Sequence, residues 1–110
     1  MKLNYPVLVV PSLKVNGMAL FPFILVKLKK SKQDETMIRH EIIHLRQQLE
    51  MLVLPFYFFY LINYLYNRLT YGHHEAYMNI VFEREAYANE SFADYLKRRK
   101  LFSWIKYFKK

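Results

Sequence analysis

The feature that most constrains the fold is a stretch of twenty residues without glycine or proline, which follows Asp34 and ends before Pro55. Asp34 stands where an N-cap residue accepts a hydrogen bond from the first turn of a helix. Five apolar residues recur at steps of four, three, four and three, which is one face of an α-helix: Ile38, Ile42, Leu45, Leu49 and Leu52. The sequence therefore predicts one helix of about twenty residues, with this face against a core.

A small sheet is predicted before this helix, and two more helices after it. Short β-rich runs at 5–10 and 24–28 indicate strands, and Asn16-Gly17 between apolar residues is typical of a hairpin turn. An almost wholly apolar helix is predicted over 56–69 and an uninterrupted third helix over 75–98. The predicted fold class is α+β, a small N-terminal antiparallel sheet followed by about three helices, in one domain over residues 1–96.

The basic charge of the chain is concentrated at one end. Seventeen Lys and Arg residues face nine Asp and Glu residues, but seven of the basic residues and no acidic residue lie within 97–110. The rest of the chain is nearly neutral and shows no recognition motif, which argues against a nucleic-acid partner. The basic, aromatic tail 97–110 is predicted to contact a membrane surface, and the alternative is that its aromatic residues fold onto the core.

Two observations bear on location. The apolar run near the N-terminus has four residues between prolines, which is shorter than the ~7–15 residues of a signal-peptide core, so no cleaved export signal is expected. The apolar stretch 51–66 is slightly shorter than the ~17 residues that cross a bilayer as a helix. It is therefore either a core helix or a membrane-embedded segment, and the expected location is the cytoplasm or the inner face of a membrane.

A metal-binding motif lies within the first predicted helix. Residues 40–44 read His-Glu-Ile-Ile-His, and residues four apart share one helix face, so His40 and His44 can bind one zinc ion with Glu41 beside the adjacent ligand position. The chain has no cysteine, so any metal must be held by His, Asp or Glu. Both histidines lie nearly opposite the apolar face, and the alternative is that they are surface residues without a ligand.

A catalytic zinc ion needs a third protein ligand, and Glu85 is the predicted one. It lies within the apolar stripe of the third predicted helix, where a carboxylate is costly unless it is paired or bound to a metal. Glu83 is expected to face water. The alternative for Glu85 is a salt bridge to Arg39 or Arg46.

Together, HEIIH at 40–44 and EREAYANE at 83–90 resemble the two motifs of the gluzincin metallopeptidases. The Glu-x-x-Ala pattern that runs from Glu85 to Ala88 looks like the glutamate helix of integral-membrane peptidases of the HtpX type, and the small size is similar to that of the minigluzincins. The resemblance covers mainly residues 34–96. It implies a minimal zincin-like catalytic domain in which His40, His44 and Glu85 bind Zn²⁺, and in which Asn89, where the membrane relatives usually have Asp, orients a ligand histidine.

The resemblance further implies a zinc-dependent peptidase that hydrolyses peptides or unfolded protein segments, with zinc-activated water and Glu41 as general base. The substrate would add as a strand to a sheet edge near 24–28. Tyr71, His73 or His74 would donate a hydrogen bond to the oxyanion, although loop histidines that face solvent are the alternative. The competing function is a zinc-binding protein with weak or latent proteolysis that acts at a membrane surface, with its tail in the cleft.

Overall fold

The computed structural model describes residues 5–108, so the first four residues and the predicted tail residues Lys109 and Lys110 lie outside the described part. A three-stranded sheet comes first in the described chain, and five α-helices follow it. The strands are β1 (Val7–Val9), β2 (Gly17–Leu20) and β3 (Phe23–Val26). The helices are α1 (Glu35–Glu50), α2 (Leu54–Arg68), α3 (His73–Met78), α4 (Val81–Asn89) and α5 (Tyr95–Arg98), with 3-10 helices at Lys29–Gln33 and Ser103–Phe108.

The sheet is mixed, so the prediction of an antiparallel sheet is only partly right. The strand order is β1-β3-β2, with β1 parallel and β2 antiparallel to β3. Leu20 pairs with Phe23, so the tight turn of the hairpin is Phe21-Pro22, joined by a cis peptide bond. Asn16-Gly17 is not the turn, because Gly17 is already the first residue of β2. The prediction of a free edge near 24–28 is also wrong, since β3 is the central strand and β2 is the edge beside α1.

Helix α1 confirms the prediction of a helix that begins after Asp34. Its N-cap is Asp34, whose Oδ1 accepts a hydrogen bond from the Met37 N–H at 3.1 Å. Part of the predicted apolar face packs on the sheet, with Leu45 fully buried against Ile24 and Val26. The helix ends at Glu50 rather than at Pro55, and α2 departs from it at 112°.

The third predicted helix is wrong as a single element, because it is broken into α3, α4 and α5. Ile80 leaves the helical backbone, with φ −62° and ψ 130°, and is fully buried against Phe56 and Phe82. The side chain of Asn63 on α2 then accepts a hydrogen bond from the Val81 N–H at 2.8 Å, so a residue of another helix helps to start α4. Tertiary packing at Ile80 thus outweighs the local preference for one long helix.

The chain after α5 returns along α4. The Trp104 ring lies 5.3 Å from the Phe82 ring, and the Tyr107 carbonyl accepts a hydrogen bond from Arg84 at 2.8 Å. The described part of the predicted tail is therefore in contact with the body of the protein. No single helix among residues 5–108 has the length and apolar content to cross a membrane. Helices α1 and α2 have them only when taken together, and this pair is bent.

Candidate metal centre

Helices α1 and α4 bring three metal-ligating groups to one point. His40 Nε2 lies 3.2 Å from His44 Nε2, and Glu83 Oε1 lies 3.1 Å from the first nitrogen and 3.0 Å from the second. All three side chains are buried. The two histidines meet because residues four apart share one face of α1, and Glu83 reaches them from the first turn of α4.

The spacing of these three atoms suits a small tetrahedral cation. Ligand atoms bound to one tetrahedral zinc ion at ~2.0–2.1 Å lie about 3.3 Å from one another. The observed separations of 3.0–3.2 Å come close to that triangle. Two imidazole nitrogens and one carboxylate oxygen are also a common zinc donor set, so the residues present fit this metal.

The hydrogen bonds around the histidines direct both Nε2 lone pairs at this point. His40 Nδ1 lies 2.7 Å from Glu90 Oε1, and because a carboxylate only accepts, this nitrogen carries the proton. His44 Nδ1 lies 2.8 Å from Gln47 Oε1, whose amide is oriented by donating to the Phe82 carbonyl. In the neutral tautomers three acceptors therefore converge, and only a proton or a metal cation between them relieves their repulsion.

The charges at the centre shift its pKa values strongly. Burial alone would raise the pKa of Glu83, but His44 and His40 hold it well below its usual range. Burial alone would lower the pKa of His44, but the Glu83 charge and hydrogen bond raise it to about 9. Tyr60 donates a hydrogen bond of 2.5 Å to Glu83 Oε2 and leaves Oε1 for the imidazoles.

Glu41 lies near His40 and His44 and also approaches the edge strand β2. Burial raises its pKa, against the lowering effect of His44 and His40. Its carboxylate makes no hydrogen bond within the described residues, and a Cβ atom built on Gly17 of β2 would lie 3.2 Å from its Oε2. The missing side chain at Gly17 is what lets this strand approach the carboxylate so closely.

The predicted third ligand, Glu85, is elsewhere, which corrects the sequence prediction. Its Oε2 accepts hydrogen bonds from Arg99 at 2.5 Å and from Tyr95 at 2.6 Å, and Gln47 donates to Oε1 at 2.9 Å. Burial would raise the pKa of Glu85, but these hydrogen bonds lower it. This buried carboxylate does have a partner, as expected, but the partner is Arg99, not a metal, Arg39 or Arg46. Glu83, expected to face water, is 4% exposed.

The residues that orient the histidines also differ from the predicted one. Asn89 donates to the Glu85 carbonyl at 2.8 Å and to the Tyr107 hydroxyl at 2.9 Å, and neither of these contacts involves a histidine. Glu90, the next residue, takes that role at His40, and Gln47 takes it at His44. A negative charge is therefore present behind His40 although residue 89 is an amide.

A cleft of about 810 Å³ opens beside the three groups. Residues 14–20 form one wall, and tyrosines of α2, α3 and α4 form much of the other: Tyr57, Tyr60, Tyr77 and Tyr87. Of the predicted oxyanion donors, His73 lines the cleft, with its Nδ1 at 2.7 Å from the Tyr64 hydroxyl. Tyr71 and His74 are not among the residues that line it.

Sequence reasoning missed several residues of this site, and for α4 a signal existed. Glu83, Tyr87 and Glu90 are spaced at i, i+4 and i+7, which places them on one helix face. That face lies against α1, where the Tyr87 ring packs edge-on to the His40 ring at 4.4 Å. Tyr60 and Tyr77 carried no such signal, because α2 and α3 reach the cleft only through the tertiary fold.

Comparisons with known proteins find no match to a family model, to a curated protein or to a solved structure.

Proposed function

We propose that this chain is a zinc-dependent peptidase, a minimal zincin-like catalytic domain in which His40, His44 and Glu83 hold Zn²⁺. The observation that carries this proposal is the convergence of three acceptor atoms within 3.2 Å beside an open cleft. Zinc held there would supply a Lewis acid that polarises the substrate carbonyl and lowers the pKa of water. The proposal keeps the two histidines of the gluzincin resemblance and replaces Glu85 by Glu83.

Glu41 is the general base in this proposal. Its carboxylate lies beside His40 and His44, makes no hydrogen bond within residues 5–108 and lines the cleft. It accepts a proton from the attacking water and delivers that proton to the amine of the leaving group. Gly17 keeps side-chain bulk away from the carboxylate on the side of β2.

The edge strand β2 supports an extended peptide as substrate. Met18 and Leu20 pair with β3, and the Asn16 carbonyl accepts from the Lys27 N–H at 3.0 Å, so Gly17 and Ala19 turn their backbone groups away from β3. The Ala19 carbonyl is occupied by Gln48, at 2.8 Å. The N–H groups of Gly17 and Ala19 and the Gly17 carbonyl remain to pair with a substrate strand, which favours peptides and unfolded segments over folded proteins.

Two tyrosines that line the cleft, Tyr77 and Tyr87, are the proposed donors to the oxyanion. The hydroxyls of Tyr77 and Tyr87 lie 2.9 Å apart, and both residues line the cleft. Burial raises the pKa of both, so at neutral pH both hydroxyls keep their protons, and the one that accepts the hydrogen bond between them can donate to the oxyanion. They take the place of the predicted Tyr71 and His74 in this proposal.

The competing proposal, a latent zinc-binding protein with its tail in the cleft, has less support. Residues 97–108 contribute nothing to the lining of the cleft, and the tail instead packs along α4. A third arrangement, a buried ion pair of His44 and Glu83 that binds no metal, makes an opposite prediction for metal content.

The decisive experiment combines metal analysis with a peptidase assay. We expect one zinc ion per chain in protein purified without added metal, and cleavage of unstructured fluorogenic peptides. Glu41→Gln should keep the zinc and lose turnover by ~10²–10⁴-fold, because it removes proton transfer alone. Glu75→Gln, an exposed glutamate of α3, is the matched control. A chain that binds no zinc under any condition overturns the proposal, and full activity of Glu41→Gln overturns the mechanism.

A further inference from the structure

Helix α2 has its polar groups on the inside. Its inward face carries three tyrosine hydroxyls and two asparagine amides, and each of them makes a hydrogen bond within the protein. The partners are Gln48 for Tyr57, Glu83 for Tyr60, His73 for Tyr64, the Val81 N–H for Asn63 and the Ala76 carbonyl for Asn67. The polarity of this helix is therefore the reverse of that of a helix on a water-exposed surface.

The outward face of α2 is apolar along its whole length. Its residues are 45–71% exposed: Phe58, Phe59, Leu61, Ile62, Leu65 and Tyr66. At 100° per residue they cover one continuous half of the helix, so they form a single patch and not scattered residues. Patches of this kind mark contact with a membrane or with another protein.

The patch continues onto the C-terminal 3-10 helix. An apolar groove of about 590 Å³ lies between α2 and Ser103–Phe108, with Phe59 and Ile62 on one side and Ile105 and Phe108 on the other. Ile105 and Phe108 are themselves more than half exposed. Two segments that are far apart in the sequence thus present one apolar surface.

The charge on the exterior identifies the kind of partner. Five of the nine acidic residues are buried or half-buried, which leaves four exposed: Asp34, Glu35, Glu75 and Asp94. Nine described basic residues are exposed: Lys14, Lys29, Lys30, Lys32, Arg68, Lys97, Arg98, Lys100 and Lys106. Arg68 ends α2, and Lys106 lies within the 3-10 helix between exposed apolar residues. Neither element carries an acidic residue.

We propose that α2 and Ser103–Phe108 together dock on the surface of an anionic lipid bilayer. The outward side chains of α2 enter the boundary between headgroups and acyl chains, and Arg68 and Lys106 contact the anionic headgroups. A second copy of this chain would bring the same positive charges to the contact, so repulsion disfavours it as the occupant. The inference goes beyond peptide hydrolysis and does not depend on the metal centre.

Vesicle binding tests this proposal, with Trp104 as a built-in probe. Trp104 is the single tryptophan of the chain and packs beside Phe108 at 6.2 Å. With vesicles of equal parts phosphatidylcholine and phosphatidylglycerol, we expect its emission to shift to shorter wavelength and brominated acyl chains to quench it. Pure phosphatidylcholine should bind at least about tenfold more weakly, because the anionic attraction is missing. Absence of any shift or quenching with the anionic vesicles overturns the proposal.

A pair of matched variants locates the contact. Phe58→Ser/Ile62→Ser removes two outward side chains that are 60% and 45% exposed, and it should weaken vesicle binding at least about tenfold. The control Leu28→Ser/Phe92→Ser removes two apolar side chains that lie outside α2 and Ser103–Phe108 and are 47% and 50% exposed. This control should bind vesicles like the unaltered chain. Equal binding by both variants overturns the assignment of the face.

Two further measurements distinguish lipid contact from a dimer interface and from an effect on the metal centre. A dimer in light scattering that Phe58→Ser/Ile62→Ser converts to monomer would show that a second copy covers the face, and this would overturn the proposal. Zinc content is measured on the same samples. A variant that loses lipid binding but keeps its zinc content shows that the lipid contact is separate from the proposed metal centre. Should the double variant not fold, the quenching result with the unaltered chain still decides.

Discussion

Glu83 and Glu85 lie two residues apart on α4, and both are buried, but their surroundings are opposite. Glu85 faces Arg99, whose charge is fixed and which also contacts Glu50, so this carboxylate already has a cation of the chain as its partner. Glu83 faces two imidazoles that carry charge only when they are protonated. The comparison teaches that a buried carboxylate is a candidate metal ligand only where no fixed cation of the chain already pairs with it.

Zinc binding should separate the two glutamates most strongly. Glu83→Gln replaces the carboxylate of the proposed ligand by a neutral amide, a much weaker zinc donor, and should weaken zinc binding by more than about a hundredfold, beyond the ~10–100-fold typical of residues that only orient a ligand. The zinc affinity of Glu85→Gln should stay within about tenfold of that of the unaltered chain, since Glu85 acts on the candidate site only through Gln47. Competition with a chromophoric chelator measures both, and equal losses would contradict the assignment of Glu83.

The metal-free protein should show the reverse order of effects on stability. Glu85→Gln leaves Arg99 with Glu50 as its buried partner but removes the charge that strengthens the hydrogen bonds from Arg99 and Tyr95, so it should lower the free energy of unfolding by about 2 kcal/mol. Glu83→Gln should lower the free energy of unfolding by less. His44 can release its proton and become neutral when its carboxylate partner is removed, whereas arginine keeps its charge. Urea denaturation in the presence of a chelator gives both values. A larger loss for Glu83→Gln would show that its charge matters chiefly for folding.

Glu90 offers a finer test, because it touches the centre only through His40. Glu90→Gln keeps an oxygen that can accept from His40 Nδ1 but removes the charge, and it should weaken zinc binding by about tenfold. The exposed Glu75→Gln is the control in the same chelator titration. No change in Glu90→Gln would mean that the carboxylate does not act on the histidine.

Proton release is the smallest expected effect. The pKa of His44 is raised to about 9 in the metal-free protein, so at pH 7 the ring is protonated, and zinc binding must displace that proton. Calorimetry in buffers of different ionisation enthalpy should show about one proton released per zinc bound at pH 7. Zinc affinity should rise with pH and level off above about pH 9. Release of no proton would contradict the charged His44–Glu83 pair.

The parts of this structure that follow from local spacing could be predicted. The Asp34 cap, helix α1 and the shared face of His40 and His44 depend on residues within one or two turns of each other. The relative positions of segments that are far apart in the sequence could not be predicted. The Glu-x-x-Ala pattern fits Glu83 with Ala86 as well as Glu85 with Ala88, and the tertiary contact of Arg99 with Glu85 shows which of the two is paired within the chain.

The sheet shows the same limit. The positions of the strands were largely visible in their composition, but which strand lies at the edge depends on pairing between distant residues. The parallel pairing of β1 with β3 occupies the side of β3 that a simple meander would leave open. Asn16-Gly17 does not form the hairpin turn, because Gly17 already pairs with Val26 and the tight turn is made by Phe21-Pro22.

The placement of Arg99 has a consequence for truncated forms of the chain. A chain cut before this arginine would keep both helices of the candidate site, but packing them together would enclose the Glu85 charge without its counterion. The last dozen residues are therefore expected to be required for α1 and α4 to close, although none of residues 99–108 lines the cleft.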